Sequence, residues 1–115
     1  MLEHCFPMYG LSLQTNLGFL LNRELQQVCV GRHQIILRFD ADICITLECE
    51  YSLDGVPAEA ASLFPLLGEK VASLNNSGNG SLAISFSNGC ELLIVDSNQG
   101  YESYAITAPN IHIIV

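Results

Sequence analysis

The chain has 115 residues, half of them hydrophobic, and its twelve acids against four bases give a formal net charge of -8. A single domain with one real core fits that length, and the apolar content argues against intrinsic disorder. The acidic balance argues against nucleic acid or an anionic membrane as partner, because both are bound through clustered cations; no uncharged apolar run approaches the roughly 18 residues of a membrane span.

Met8 to Leu13 is a short apolar segment expected to form an edge strand, and Thr15 to Leu21 a turn or one helical turn. Leu25–Val30 reads as a strand, joined through Gly31-Arg32 to a second strand over Gln34–Phe39. Ile43 to Tyr51 alternates over its whole length, with Ile43, Ile45, Leu47, Cys49 and Tyr51 on one face and Cys44, Thr46, Glu48 and Glu50 on the other. Period two predicts a half-buried antiparallel strand, ended by the turn Asp54-Gly55. Val56–Leu67 is the one predicted helix, opened by Pro57, stopped or bent at Pro65 and capped by Gly68. Glu69–Leu74 is the next strand, and residues 75–80 are a polar loop. Ser81–Phe86 and Cys90–Val95 pair across Asn88-Gly89, a dipeptide suited to a type I′ hairpin turn. Leu93 and Val95 face outward there, so that face is expected to be covered. Tyr104–Thr107 and Ile111–Val115 close the chain, with Tyr104 and Ile106 in the core and Tyr101 or Ser103 tying down the preceding loop.

The chain contains an internal repeat. Ile35, Leu37, Phe39, Ile43, Ile45 and Leu47 are answered 47 positions later by Leu82, Ile84, Phe86, Cys90, Leu92 and Ile94. A looser match, with one gap, sets Leu20–Leu25 against Leu66–Val71. Each copy has an apolar face that it cannot bury alone, so the two pack together. The expected fold is a mainly β, antiparallel β-sandwich or partly open barrel of about seven or eight strands with one short helix. It forms a single domain over 1–115, with pseudo-repeat units near 20–51 and 66–98.

Nothing in the sequence spells catalysis. His4, His33 and His112 each stand alone, no glycine-rich phosphate loop precedes a helix, and no Gly-x-Ser-x-Gly elbow occurs. The five cysteines form no Cys-x-x-Cys pair and read as small apolar residues of a reducing cytoplasm. No basic stretch precedes an apolar run near Met1, which gives the same expected location. No enzyme activity, metal or cofactor is expected.

The acids are unevenly placed. Seven fall between Asp40 and Glu69 with no base among them, and three more follow Val71, again with no base. Glu48 and Glu50 on one strand face, with Asp54 close behind, form the first candidate binding surface; Asp40, Asp42, Asp96 and Glu102 form a second tier. Tyr101 beside Glu102 adds contact area at low entropic cost. A row of carboxylates suits a basic protein partner. Two other readings are a small apolar ligand between the repeats and a homodimer through Leu93 and Val95 or an edge strand Ile111–Val115.

Three stretches carry a family resemblance: Leu66-Leu67-Gly68-x-x-Val71; Leu82-x-Ile84-x-Phe86-x-Asn88-Gly89-x-x-Leu92-x-Ile94; and Tyr101-Glu102-Ser103-Tyr104-x-Ile106. From Leu20 onward the chain resembles a group of small bacterial proteins, some of which are similar to immunity proteins encoded beside polymorphic or contact-dependent growth-inhibition toxins. It departs from them in lacking a glycine-rich tail after Val115. The resemblance implies neutralisation of a cognate toxin by tight binding, and the surplus of carboxylates makes a basic nuclease domain the expected partner. The group's shared residues are structural, so the resemblance itself assigns no binding residue.

Overall fold

The computed structural model describes residues 7–9, 16–76, 80–96 and 103–115. These form eleven strands: β1 Pro7–Tyr9, β2 Leu25–Val30, β3 Ile35–Phe39, β4 Ile43–Leu47, β5 Tyr51–Leu53, β6 Val56–Pro57, β7 Val71–Asn76, β8 Leu82–Phe86, β9 Glu91–Ile94, β10 Tyr104–Ala108 and β11 Ile111–Ile114. One sheet has the order β1-β11-β10-β4-β3-β2 and the other β6-β5-β9-β8-β7. Every pairing is antiparallel except β1 with β11. The expected sandwich is present. The strand number exceeds seven or eight, in part because β5 and β6, of three and two residues, are too short to carry a readable alternation.

Alternation places the core. Leu37, Ile45, Leu82, Ile84, Leu92, Ile94 and Ile106 are fully buried between the sheets, with Phe39, Phe86 and Tyr104 beside them. Leu20, Leu63 and Leu66, from the 3-10 segments Gly18–Leu20 and Ala60–Leu66, complete it.

The repeat is visible in the backbone. Each copy is a three-stranded meander, β2-β3-β4 or β7-β8-β9, preceded by a 3-10 segment. The strand after each meander leaves for the opposite sheet. β5 follows β4 but pairs with β9, and β10 follows β9 but pairs with β4. The entries to β2 and β7 bond reciprocally. Asn22 N–H donates to Val71 O at 2.8 Å and Gly68 N–H to Leu25 O at 2.8 Å; Leu25 N–H donates to Glu69 O and Val71 N–H to Arg23 O, each at 2.9 Å. The ladders slip at matching places, between Leu25 and Gln27 and between Val71 and Ser73.

Several local expectations need correction. The strand predicted over Ile43–Tyr51 is two strands in different sheets, because the chain crosses between sheets at Glu48–Glu50. The predicted helix is a 3-10 segment with Pro65 inside it, and Gly68 takes φ 86° just beyond its end. Asn88-Gly89 does not form a two-residue type I′ turn. Phe86 N–H bonds Cys90 O around a three-residue loop, Gly89 alone has positive φ, and Asn88 Oδ1 accepts Cys90 N–H at 3.0 Å. Ile111–Val115 offers no edge, since β11 lies between β10 and β1. The rest of the predicted Met8–Leu13 strand, beyond Tyr9, lies outside the described residues.

Candidate functional site

The two crossings between sheets meet, and there the candidate acids come closest to forming a group. Beyond β4, Glu48 N–H donates to Ser103 O at 2.9 Å; beyond β9, Val95 N–H donates to Glu50 O at 3.0 Å. Ser103, fully buried, donates its Oγ–H to Asp96 Oδ1 and its N–H to Val115 O at 2.7 Å. Ser103 thus ties the Glu48 backbone to the Asp96 carboxylate. Glu48, Glu50 and Asp96 are all exposed.

Beneath them the junction is packed. Tyr104 OH donates to Gly80 O in the interior, and Gly80 is drawn so close to Asp96 that an added Cβ would overlap the Asp96 side chain. Burial, with the negative charge of Asp96 next, pushes the Cys49 thiol up to about 11. Burial also raises the Tyr104 phenol, again with Asp96 behind it. These groups stay neutral near pH 7 and are poor nucleophiles.

Cys49 and Tyr51 separate two shallow clefts. One, of about 390 Å³, is lined on one side by Glu50, Ser52, Pro57, Ala58 and Val95. The other, of about 290 Å³, lies toward Arg32, His33, Gln34 and Glu48. Tyr51 lines both clefts, with its phenol raised by burial and by Glu59. Among the described residues no group of three or more His, Cys, Asp or Glu could hold a metal ion.

The remaining predicted residues are placed elsewhere. Glu48 and Glu50 leave the sheet face they were expected to share with Thr46, because the strand ends at Leu47. Asp40 and Asp42 lie in the β3–β4 turn, at the other end of β4 from Glu48 and roughly 20 Å away at strand rise. Asp40 serves the fold: its Oδ1 accepts Glu24 N–H at 2.9 Å, and its Oδ2 lies 3.7 Å from Arg23 Nη1. Asp54 sits in the β5–β6 turn with φ 51° and accepts Glu91 N–H at 2.9 Å. Tyr101 and Glu102 lie outside the described residues. Cys49, whose thiol lies beneath the acids, was legible only as another inward residue of an alternating run.

No helix among the described residues is long and apolar enough to cross a membrane. No curated protein and no solved structure matches the chain. Residues 19–115, which include both repeats and the whole crossing junction, match a family of unknown function, DUF6188, and the chain belongs to that family.

Proposed function

We propose that the chain is a non-catalytic binding protein that engages a cationic protein through Glu48, Glu50 and Asp96, and that the partner is a cognate bacterial toxin domain of nuclease type. The observation that carries this reading is the stapled crossing. Backbone bonds from Glu48 to Ser103 and from Val95 to Glu50 fix the frame that carries the exposed Glu48 and Glu50, with Asp96 held beside them by the bond from Ser103. Carboxylates on a fixed frame lose little freedom on binding, and they favour rapid, salt-sensitive association with a basic surface. A nuclease cleft that binds phosphates presents such a surface, and the carboxylates would occupy it as phosphate mimics. The resemblance to immunity-type proteins supports the choice of a toxin, and the neutral Cys49 and Tyr104 beneath the acids support a binding rather than a catalytic role.

The test is co-expression with the toxin domain encoded immediately upstream. The chain should restore growth and co-purify with the toxin; unprotected cells and no complex would refute the reading.

A further inference from the structure

The two halves share a backbone plan, so the second copy shows what the meander needs at each position of the first. In the first copy, Arg38 of β3 stands opposite Cys44 of β4, and Cys29 of β2 stands opposite Ile36, one outward step along β3 from Arg38. Cys29, Arg38 and Cys44 therefore share the outer face of the six-stranded sheet. Arg38 Nη1 donates to Cys44 Sγ at 3.7 Å, and the Cys29 thiol acts on the same guanidinium from the other flanking strand. The counterparts in the second copy are Asn75, Ser85 and Glu91. The same meander forms there without a thiol or a cation, so the backbone plan requires neither. Arg38 is exposed and is one of four bases against twelve acids, yet among the described residues no carboxylate pairs with it. Two other half-buried thiols have the opposite surroundings: Asp54 and Glu69 act on Cys90, and Asp96 acts on Cys49.

We infer that Cys44 is a site of reversible capping by small anionic disulfides of the glutathione class, with Arg38 holding a carboxylate of the incoming molecule. The guanidinium is a planar donor fork suited to a carboxylate, and a cation beside a partly exposed thiol is the setting of reactive cysteines. In the step, the Cys44 thiolate attacks one sulfur of the small disulfide. The S–S bond of that molecule breaks, a new S–S bond forms to Cys44 Sγ, and the other half leaves as a thiolate with the electron pair. Cys44 is oxidised, the departing half is reduced, and the Cys44 proton goes to solvent. Cys29 cannot displace the cap by pairing with Cys44. The two lie on either side of β3, roughly 9 Å or more apart at their Cα atoms by strand spacing, beyond the reach of a disulfide. The cap therefore stays until an external thiol removes it. This site lies apart from the crossing junction and does not depend on the toxin reading.

The test reacts the reduced chain separately with glutathione disulfide, which is anionic, and with cystamine, which is cationic, and follows each cysteine by peptide mass mapping. A chain of net charge -8 should favour the cationic reagent everywhere except beside an unpaired cation. In the unmodified chain the ratio of anionic to cationic rates should be about fivefold or more higher at Cys44 than at Cys90, a readout independent of how any variant folds. Added salt should shrink that difference. Arg38→Gln should bring the Cys44 ratio down to that of Cys90 and leave the Cys90 ratio as it was. A Cys44 ratio no higher than that of Cys90, glutathione capping first at another cysteine, or a Cys44 ratio unmoved by Arg38→Gln would overturn the inference.

Discussion

Glu24 and Lys70 occupy the same position in the two repeats, and they face each other across an isolated antiparallel bridge that joins the edges of the two sheets. The local pseudo-two-fold axis therefore passes between them. Around it the backbone is reciprocal, but the side chains have exchanged chemistry. In the first copy the Asp40 carboxylate receives Glu24 N–H and pairs with Arg23. In the second, the Ser87 hydroxyl receives Lys70 N–H at 3.0 Å and donates to the Glu69 carboxylate at 2.9 Å. The backbone donor must be met in both copies, and either a carboxylate or a hydroxyl can meet it.

That equivalence predicts which substitution of Asp40 is tolerated. Asp40→Ala should cost about 1–2 kcal/mol, mostly from the unmet Glu24 N–H, since the half-exposed ion pair adds little. Asp40→Ser should recover more than half of that, because Ser87 does the same work in the second copy. Urea denaturation of the three chains measures the difference.

The β3–β4 turn holds Ala41 and Asp42 at φ 61° and 59°, a left-handed conformation that costs residues with a Cβ about 1–2 kcal/mol each. Ala41→Gly should stabilise the chain by about 0.5–1 kcal/mol once the extra freedom of glycine in the unfolded chain is counted. A rise in the denaturation midpoint at unchanged slope is the expected observation.

The junction at Gly80 should be intolerant. At φ 93°, with the Asp96 side chain where a Cβ would go, Gly80→Ala should destabilise by about 2–4 kcal/mol. Tyr104→Phe removes the donor to Gly80 O and should cost about 1–2 kcal/mol. Thermal unfolding of each variant measures both.

Alkaline pH should weaken the fold in a defined window. The Cys49 thiol ionises near 9 when unfolded and at about 11 in the fold, so its contribution is complete below pH 9 and is lost as pH rises toward 11. Because the residue is only half-buried, solvent screening reduces this to about 1 kcal/mol. Tyr104, also raised, extends the loss to higher pH with the same sign. Stability measured from pH 8 to 11 should fall, and Cys49→Ala should flatten the first part of the decline.

Sheet pairing was legible in the sequence where one face is buried and alternation is strict, as at Leu82–Phe86 and Ile43–Leu47. The repeat announced itself because both copies keep the same inward residues. The crossing at Glu48–Glu50 was not legible, because Cys49 and Tyr51 continue the inward pattern after the chain has changed sheets. Alternation records which side faces the core, not which sheet supplies it. The candidate site inherits that blind spot. Asp40 and Asp54 read as surface charges, yet each receives a backbone N–H from a residue distant in sequence. The role of Ser103 as a tie was partly readable; its partner Asp96 was not, since their meeting depends on the crossing.

Titration calorimetry of the chain with the toxin domain encoded beside it, at low and high salt, bears most directly on the proposed function. The expected result is tight binding that weakens as salt rises, and a loss of at least a hundredfold in affinity, about 2.7 kcal/mol, in the Glu48→Lys, Glu50→Lys double variant. Absence of binding, or affinity indifferent to salt and to both reversals, would contradict it.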